Sequence, residues 1–390
     1  MKISTKLIQT MRWFGPSDLV PISYLKIAGA EGIATALNHV APGDLWTISE
    51  ILKRKSLVES YGLKWTVAES VHVHEEIKLR SVNCAKYISN FKATIRNLAK
   101  CGVNTVCYSF MPLLDWTRTD VAFRCEDGSL ALALNWKDLA VFDIFVLRRP
   151  GAAEDYPHFR LDELKTYYLG LKTRKLQEIT RNILSGLPGT RQSHSLRSVR
   201  SSHLKFSSIT PSEFRSNLVH FLREVTPVAE KANVRLAIHP DDPAGSLFGI
   251  QRIVSTHEDI RFIFQQVDSA ANGFTLCTGS FDADSVMNVL GLIKEFGDRI
   301  HFIHLRNIKK DEQGNFFESN YFEGDVDMKS VMMAIIDVMK KRNEPLPMRP
   351  DHGQLMLVEP NKARISPGYA AARGMKGLAE LRGLEYALQY

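Results

Sequence analysis

The chain has 390 residues, and its contents of 44% hydrophobic and 24% charged residues are ordinary for a soluble globular protein with one large barrel domain or two smaller domains. No run of about 18 apolar residues and no apolar N-terminal stretch of secretory length is present, so we expect no membrane partner and a cytoplasmic location. The net charge of +7 would suit a nucleic-acid partner, but much of it lies in segment 187–205, which we interpret as a mobile basic loop, and an anionic small-molecule substrate is equally compatible with it.

Short apolar, β-prone runs alternate with helix-like stretches in the first part of the chain. The predicted strands are 11–14, 32–37, 64–69 and 105–110, and the predicted helices between them are 48–61 and 83–101. Gly102 supplies the stop signal of the second helix. The pattern therefore predicts repeated βα units.

The alternation stops after the fourth strand, where residues 113–210 form a mainly helical insertion with helices over 136–147 and 160–184. It resumes with predicted strands 235–239, 274–277, 300–304 and 346–351, and with predicted helices 211–232, 256–271, 284–296, 328–342 and 367–388. Eight strands with intervening helices predict an α/β fold, a single (β/α)8 TIM barrel spanning residues 1–390 with a long insertion after strand four. An open doubly wound sheet would instead gather ligands at one switch point.

Four potential metal ligands lie at the ends of the last four predicted strands: His239, Cys277, His304 and Asp351. Their intervals of 38, 27 and 47 residues each correspond to about one βα unit. Because the carboxyl ends of parallel barrel strands meet at one rim, two imidazoles, a thiolate and a carboxylate would converge there on a divalent cation. The five cysteines include no Cys-x-x-Cys pair, which indicates reduced thiols rather than a disulfide framework.

Other polar residues follow the same strands. The acids in His239-Pro-Asp-Asp-Pro243 would orient imidazoles, or would simply form a turn. Arg306 shares the side of His304 and is a candidate clamp for a substrate carboxylate, with an exposed arginine as the alternative. His352 follows Asp351 and is a candidate general acid or base that does not bind the metal.

Several motifs resemble those of the mannonate dehydratase family. They are Arg12-Trp-Phe-Gly-Pro16, Glu50-Ile-Leu-Lys-Arg-Lys55, Cys107-Tyr108, Met111-Pro112 with Asp115-Trp-Thr-Arg-Thr-Asp120, His239-Pro-Asp-Asp-Pro243, Cys277-Thr-Gly-Ser280, His304-Leu-Arg306, Gly324-Asp-Val-Asp-Met328 and Met348-Arg-Pro-Asp-His-Gly353. The resemblance extends from Arg12 to Leu388. It implies a metal-dependent TIM barrel that converts D-mannonate, a small sugar acid, to 2-keto-3-deoxy-D-gluconate and water in hexuronate (glucuronate) catabolism.

The resemblance also implies site residues and a cofactor. The family's ligands correspond to His239, Cys277, His304 and Asp351, and its acid and base to His352 and Tyr369, in an order that the sequence leaves open. Mn2+ is the expected metal, with Fe2+ or Co2+ as substitutes, although thiolate and imidazole ligands ordinarily favour zinc. We also predict a homo-oligomer, a dimer, because barrels of this kind commonly pair.

For substrate binding we predict Arg306 and His74; a surface histidine is the alternative for His74. The chain departs from the family pattern over 187–206 and 357–365, and neither segment contains a predicted ligand.

Three other functions fit the sequence less well. A metal-dependent sugar isomerase or epimerase on the same barrel would use more carboxylates, whereas only one of the four predicted ligands is acidic. A barrel nuclease would need several carboxylates and a basic, aromatic rim. A barrel without activity, serving as a binding protein, is disfavoured because the ligands and both proton-transfer candidates are present.

Overall fold

The computed structural model describes residues 6–186, 194–282, 288–356 and 367–389. Its strands, in chain order, are β1 (Ile8–Arg12), β2 (Gly32–Thr35), β3 (Lys64–Glu69), β4 (Thr105–Tyr108), β5 (Asp120–Arg124), β6 (Leu130–Leu134), β7 (Arg235–Ile238), β8 (Asn272–Cys277), β9 (Ile300–Leu305), β10 (Ile308–Lys310), β11 (Phe316–Glu318) and β12 (Pro347–Pro350).

The α-helices are α1 (Ile22–Ile27), α2 (Ile48–Glu59), α3 (Glu75–Lys78), α4 (Cys84–Lys100), α5 (Trp136–Val141), α6 (Leu161–Gly170), α7 (Thr173–Leu184), α8 (Leu196–Phe206), α9 (Pro211–Lys231), α10 (His257–Gln266), α11 (Thr278–Asp282), α12 (Val289–Phe296), α13 (Met328–Arg342) and α14 (Ala371–Gln389). A π-helical segment, Phe142–Leu147, continues α5, and a 3-10 turn, Pro367–Tyr369, precedes α14. Within the described ranges no helix has the length and apolar character needed to cross a membrane.

Eight strands close into a parallel barrel in the order β1-β12-β9-β8-β7-β4-β3-β2, which confirms the predicted (β/α)8 architecture. Strands β8 and β9 are buried along their whole length, as expected where helices cover the outside and side chains fill the inside. Inside the barrel, a small cluster of Ala34, Val67, Cys107, Ala237 and Phe302 lies apart from the main core between strands and helices.

Strand β1 begins three residues before the predicted start of 11–14. The pattern missed these residues because Gln9 and Thr10 are polar, yet both are buried. Thr10 Oγ1 donates to the Met348 carbonyl at 2.7 Å, and Gln9 Nε2 donates to Glu385 Oε2 at 3.2 Å. Internal hydrogen bonds thus replace the apolar character that the pattern relies on.

The insertion after β4 contains α5 to α8 and also two strands, β5 and β6, that the pattern did not predict. These strands form an antiparallel sheet, hereafter the accessory sheet, in the order β10-β11-β6-β5. Strand β6 pairs with β11, as in Ala133 opposite Phe317. The accessory sheet therefore joins the insertion to the segment that follows β9.

The interpretation of 187–205 as a mobile loop is wrong for residues 196–205, which belong to α8. Ser195 and Ser198 form a capping box at its start, and Val199 and Phe206 are buried beneath it. Arg200 Nε donates to the Leu147 carbonyl at 3.0 Å, so part of the basic charge serves to dock the helix. Residues 187–193, and the divergent segment 357–365, lie outside the described residues.

Candidate active site

The four predicted metal ligands meet at the carboxyl ends of β7, β8, β9 and β12. His239 Nε2 lies 3.2 Å from His304 Nδ1, and His304 Nδ1 lies 3.5 Å from Asp351 Oδ2. Cys277 Sγ lies 3.7 Å from Asp351 Oδ2, and the donor atoms of the two histidines and the cysteine all lie within 4.8 Å of one another. The structure thus brings together the four residues chosen from strand ends.

These separations fit a cation-binding shell. Bonds of about 2.0–2.3 Å in a tetrahedral shell separate neighbouring donors by about 3.3–3.8 Å. Two of the observed distances, 3.5 and 3.7 Å, lie in that range, and the third, 3.2 Å, lies just below it. Imidazole, thiolate and carboxylate are the donor types that bind divalent metals in proteins, so the residues present fit a divalent metal.

The two histidine rings are oriented as metal ligands usually are. His239 Nδ1 lies 2.7 Å from the Pro240 carbonyl, which leaves Nε2 for the cluster. His304 presents Nδ1 to the cluster, while its Nε2 faces Glu69 Oε1 at 3.4 Å and Arg349 Nε at 3.2 Å. Burial lowers the pKa of His239, which favours the neutral imidazole that can bind a cation.

A buried chain of ion pairs surrounds the cluster. Arg349 bonds to Asp351 and also donates to both oxygens of Glu69, at 2.8 and 3.1 Å, and Arg12 Nη1 lies 3.1 Å from Glu69 Oε1. Burial opposes ionisation of Asp351, but Arg349, His352 and His304 hold its pKa well below the ordinary value. Likewise, burial is outweighed at Glu69 by Arg12 and Arg349, which hold its pKa low. Both carboxylates are therefore negatively charged.

A cavity opens beside the cluster. It is lined by Arg12, Glu69, Ser70, His72, Ser109, Met111, Asp115, Trp116, His239, Asp242, Arg349, Asp351, His352 and Tyr369. His352 Nε2 lies 3.0 Å from the Tyr369 hydroxyl, so both predicted proton-transfer residues adjoin the predicted metal site. Burial, and then the charge of Asp351, raises the pKa of Tyr369 well above its usual value.

Arg306 does not line this cavity. Its guanidinium is 1% exposed and donates to both oxygens of Glu318 at 2.8 Å and to Asp242 Oδ2 and Ser280 Oγ at 3.0 Å. A carboxylate clamp needs free donors facing the ligand, and these donors are occupied by protein groups. The substrate-clamp prediction for Arg306 is therefore corrected to a structural contact behind the site.

His74 is also outside the cavity. Its ring stacks on Tyr87 with 3.7 Å between centroids, and its Nδ1 accepts from the Glu76 amide as the N-cap of α3. His72, two residues earlier, lines the cavity. His72 rather than His74 therefore faces the cavity, because the chain after β3 turns to begin α3 at His74.

Sequence reasoning missed three further residues around the site: Glu69, Arg349 and Glu318. Glu69 ends β3 and was within reach of the strand-end rule applied to the metal ligands. Arg349 lies within β12, two residues before Asp351 and on the same side of the strand. No sequence signal pointed to Glu318, since it reaches the site from the accessory sheet.

Comparisons with known proteins identify the family. The family described as D-mannonate dehydratase (UxuA) matches residues 7–390. A mannonate dehydratase from Saccharophagus degradans is 42% identical over 387 residues, covering 98% of each chain, and one from Marinomonas sp. is 41% identical over 386 residues, covering 97% of this chain and 98% of that one. The crystal structure of mannonate dehydratase from Streptococcus suis serotype 2 superposes with a TM-score of 0.77 at 30% identity, covering 99% of this chain and 94% of that chain. The chain therefore belongs to the D-mannonate dehydratase family.

Proposed function

We propose that this chain dehydrates D-mannonate to 2-keto-3-deoxy-D-gluconate and water, with a divalent cation bound by His239, Cys277, His304 and Asp351. The observation that carries the proposal is the convergence of these four donors beside the His352–Tyr369 pair, in a chain of this family. The sugar isomerase or epimerase alternative is not favoured.

The reaction removes the C2 proton and the C3 hydroxyl of the substrate. A bound divalent cation supplies Lewis-acid stabilisation of the negative charge that develops on the substrate carboxylate. The donor set accommodates Mn2+, and also Fe2+ or Co2+, and the choice of Mn2+ follows the family resemblance rather than the ligand types.

His352 and Tyr369 are the groups that move protons in this proposal. The imidazole Nε2 and the phenol oxygen lie 3.0 Å apart on one side of the cavity, so a proton can be held at either atom. One takes the C2 proton, and the other protonates the departing hydroxyl. A positioned proton transfer of this kind contributes about 10²–10⁴-fold to the rate.

For substrate recognition we propose Arg12 and Trp116 in place of Arg306. Both line the cavity, and in the part of the chain that the structure describes Arg12 Nε and Trp116 Nε1 are buried without a hydrogen-bond partner. A buried donor without a partner is costly, and a substrate carboxylate or hydroxyl oxygen would satisfy it. His72 is the candidate for contact with the sugar hydroxyls.

The test is turnover of D-mannonate by metal-stripped protein, with and without added Mn2+, detecting the 2-keto-3-deoxy acid. We expect metal-dependent product from the wild type and none above background from Asp351→Asn or His352→Asn. A folded wild type that binds Mn2+ and makes no product from D-mannonate would refute the proposal.

We further propose that the enzyme acts as a homodimer in the cytoplasm, in hexuronate catabolism. Light scattering of the purified protein measures the assembly: a mass near twice 44.1 kDa is expected, and a monomer at all concentrations would contradict it.

A further inference from the structure

Glu318 lies at the end of β11 in the accessory sheet, and its side chain is fully buried. Its Oε1 lies 2.9 Å from His352 Nδ1, on the far side of the ring from the Tyr369 hydroxyl. The imidazole therefore stands between a carboxylate and a phenol. Glu318 does not line the cavity, so any effect on the reaction must pass through His352.

Two buried guanidinium groups hold Glu318 in its ionised form. Arg306 donates to both carboxylate oxygens at 2.8 Å, and Arg118 Nη2 donates to Oε1 at 3.1 Å. Both arginines also donate to Asp242, so two positive and two negative charges balance within the cluster. Burial opposes ionisation, but Arg306, His352 and Arg118 lower the pKa of Glu318 to about 2.

An ionised carboxylate can only accept hydrogen bonds. In the contact between Glu318 and His352 the donor must therefore be the imidazole, which carries its hydrogen on Nδ1. In the neutral ring the opposite nitrogen, Nε2, then presents its lone pair to the Tyr369 hydroxyl and the cavity. With the reversed tautomer, an N–H group would occupy that position and no proton could be accepted there.

The backbone of His352 is fixed by other groups. Its amide donates to Asp351 Oδ1 at 3.0 Å, and its carbonyl accepts from the Tyr321 hydroxyl at 3.1 Å. The Glu318 carboxylate, by contrast, contacts the imidazole ring. Replacing Glu318 should therefore change the orientation and tautomer of the imidazole while the main chain stays in place.

We propose that Glu318 is a positioning residue of the dehydration, which holds His352 as the Nδ1–H tautomer with Nε2 directed at Tyr369. The inference rests on the proposed function, because it assigns the orientation of a side chain to which that function gives a proton-transfer role. The accessory sheet thereby contributes to the reaction without touching the substrate.

The test compares Glu318→Gln with Asp143→Asn. Asp143 is a matched control, since it is a buried carboxylate that accepts from an arginine, Arg149, at 2.7 Å and from the Tyr156 hydroxyl at 3.0 Å, in the insertion rather than at the site. For Glu318→Gln we expect kcat to fall about 10²–10⁴-fold, the range in which loss of a carboxylate behind a catalytic imidazole falls. KM and bound Mn2+ should stay within about threefold of wild type, and Asp143→Asn should retain kcat per folded molecule.

Nitrogen-15 spectra of histidine-labelled protein measure the tautomer of His352 directly. This measurement would not change if Glu318 had only a structural role. The wild type should show a protonated Nδ1 and an unprotonated Nε2 for His352, assigned by loss of the signals in His352→Asn. Glu318→Gln should lose this single-tautomer signature, and Asp143→Asn should keep it. An unchanged signature, or a kcat equal to that of Asp143→Asn, would overturn the inference.

If Glu318→Gln does not fold, Glu318→Asp is the second variant. It keeps a negative charge beside the two arginines, but its shorter side chain moves that charge away from the His352 ring. We expect Glu318→Asp to fold and to lose kcat at least about tenfold with KM unchanged, and an unchanged kcat would again contradict the inference. Failure of the proposed function itself is separate, because it would appear as absent turnover in wild type while the tautomer signature of His352 could still be measured.

Discussion

His239, Cys277, His304 and Asp351 lie within one residue of the carboxyl ends of β7, β8, β9 and β12. Strands β1 and β3 end in Arg12 and Glu69, which pair with each other at 3.1 Å. Both halves of the barrel rim thus place polar side chains at the same point of their strands. In the C-terminal half three of these side chains, His239, Cys277 and His304, carry potential metal-donor atoms that all lie within 4.8 Å of one another. In the N-terminal half they are opposite charges that satisfy each other.

This difference between the two halves shows that a strand-end position predicts where a side chain lies but not what it binds. The position brings a side chain to the rim, and the charge of its neighbours decides whether it is available to a metal or already engaged. Glu69 bonds to Arg349 and faces His304 Nε2, the nitrogen directed away from the other three donors. We therefore propose that the C-terminal half supplies the metal ligands and that Glu69, in the N-terminal half, orients one of them.

The largest expected effect is that of Asp351→Asn in the C-terminal half. We expect loss of stoichiometric Mn2+ after dialysis and a loss of turnover beyond the roughly 10–100-fold that an outer partner of a ligand typically costs. Metal analysis of the dialysed protein and turnover of D-mannonate measure both. Retention of a full equivalent of metal would remove Asp351 from the ligand set.

Glu69→Gln tests the other half of the comparison. We expect Mn2+ affinity to fall about 10–100-fold while the site can still be saturated, because the variant removes the partner of a ligand and not the ligand. The metal-free variant should also lose about 3 kcal/mol in the free energy of unfolding, since Arg12 would be buried without its carboxylate. Titration with Mn2+ and urea unfolding check these two outcomes. A Glu69→Gln variant that cannot bind metal at all would break the distinction between the halves.

The pH dependence of the free energy of unfolding adds a comparison between the rim and the opposite end of the barrel, because buried groups at the two ends titrate in different pH ranges. Burial lowers the pKa of His301, near the start of β9, from 6.5 to about 3, and the pKa of Glu318 at the rim is lowered from 4.5 to about 2. In both cases the unfolded chain binds protons that the folded chain does not, so stability falls as pH falls. We expect the free energy of unfolding of metal-free protein to decline below about pH 6.5 and more steeply below about pH 4.5.

Urea unfolding at a series of pH values measures this decline. His301→Asn keeps a donor for the Leu236 carbonyl, which His301 Nδ1 contacts at 2.7 Å, and should flatten the upper part of the curve only. A variant with the same curve as wild type would show that His301 does not contribute to the decline.

The smallest expected effects distinguish His72 from His74. His72→Ala should raise KM for D-mannonate about tenfold, which corresponds to about 1.4 kcal/mol of lost binding. His74→Ala should leave KM unchanged and lower the free energy of unfolding by about 1 kcal/mol or less, as for loss of a helix cap. Steady-state kinetics of the two variants side by side decide between them. A larger change in KM for His74→Ala would restore the original sequence prediction.

The barrel and the positions of the predicted metal ligands could be predicted from sequence, because each depends on a local sequence pattern. A buried parallel strand is a short apolar run, and its last residue lies at the rim whatever the rest of the chain does. The strand-end rule predicts His239, Cys277, His304 and Asp351 in this way. The pattern failed at Gln9 and Thr10, where buried polar side chains donate hydrogen bonds to partners more than 300 residues away in sequence.

The network around His352 could not be predicted for a related reason. Arg118, Arg306 and Glu318 come from three separate segments, and sequence spacing says nothing about which charges will meet. Arg306 was assigned to the substrate because its own strand placed it near His304, whereas its partners come from the accessory sheet and from the turn after β7. The strands β5, β6, β10 and β11 are short, and β5 is largely exposed, so pattern alone did not distinguish them from loops.

The accessory sheet also bears on how the molecule is made. Strand β6 pairs with a strand that is distant in sequence. Ala133 of β6 and Phe317 of β11 lie 184 residues apart, with three barrel strands between them. Loop-closure entropy makes such distant pairings slow relative to neighbouring βα contacts. Barrel closure pairs β1 with β12 across a longer separation, as in Ile8 opposite Pro347, so the accessory sheet and the closed barrel should both form late. We therefore expect a folding intermediate that has formed contacts between neighbouring βα units but in which Glu318 has not yet reached His352. Recovery of turnover during refolding would then lag behind the burial of the barrel tryptophan Trp65.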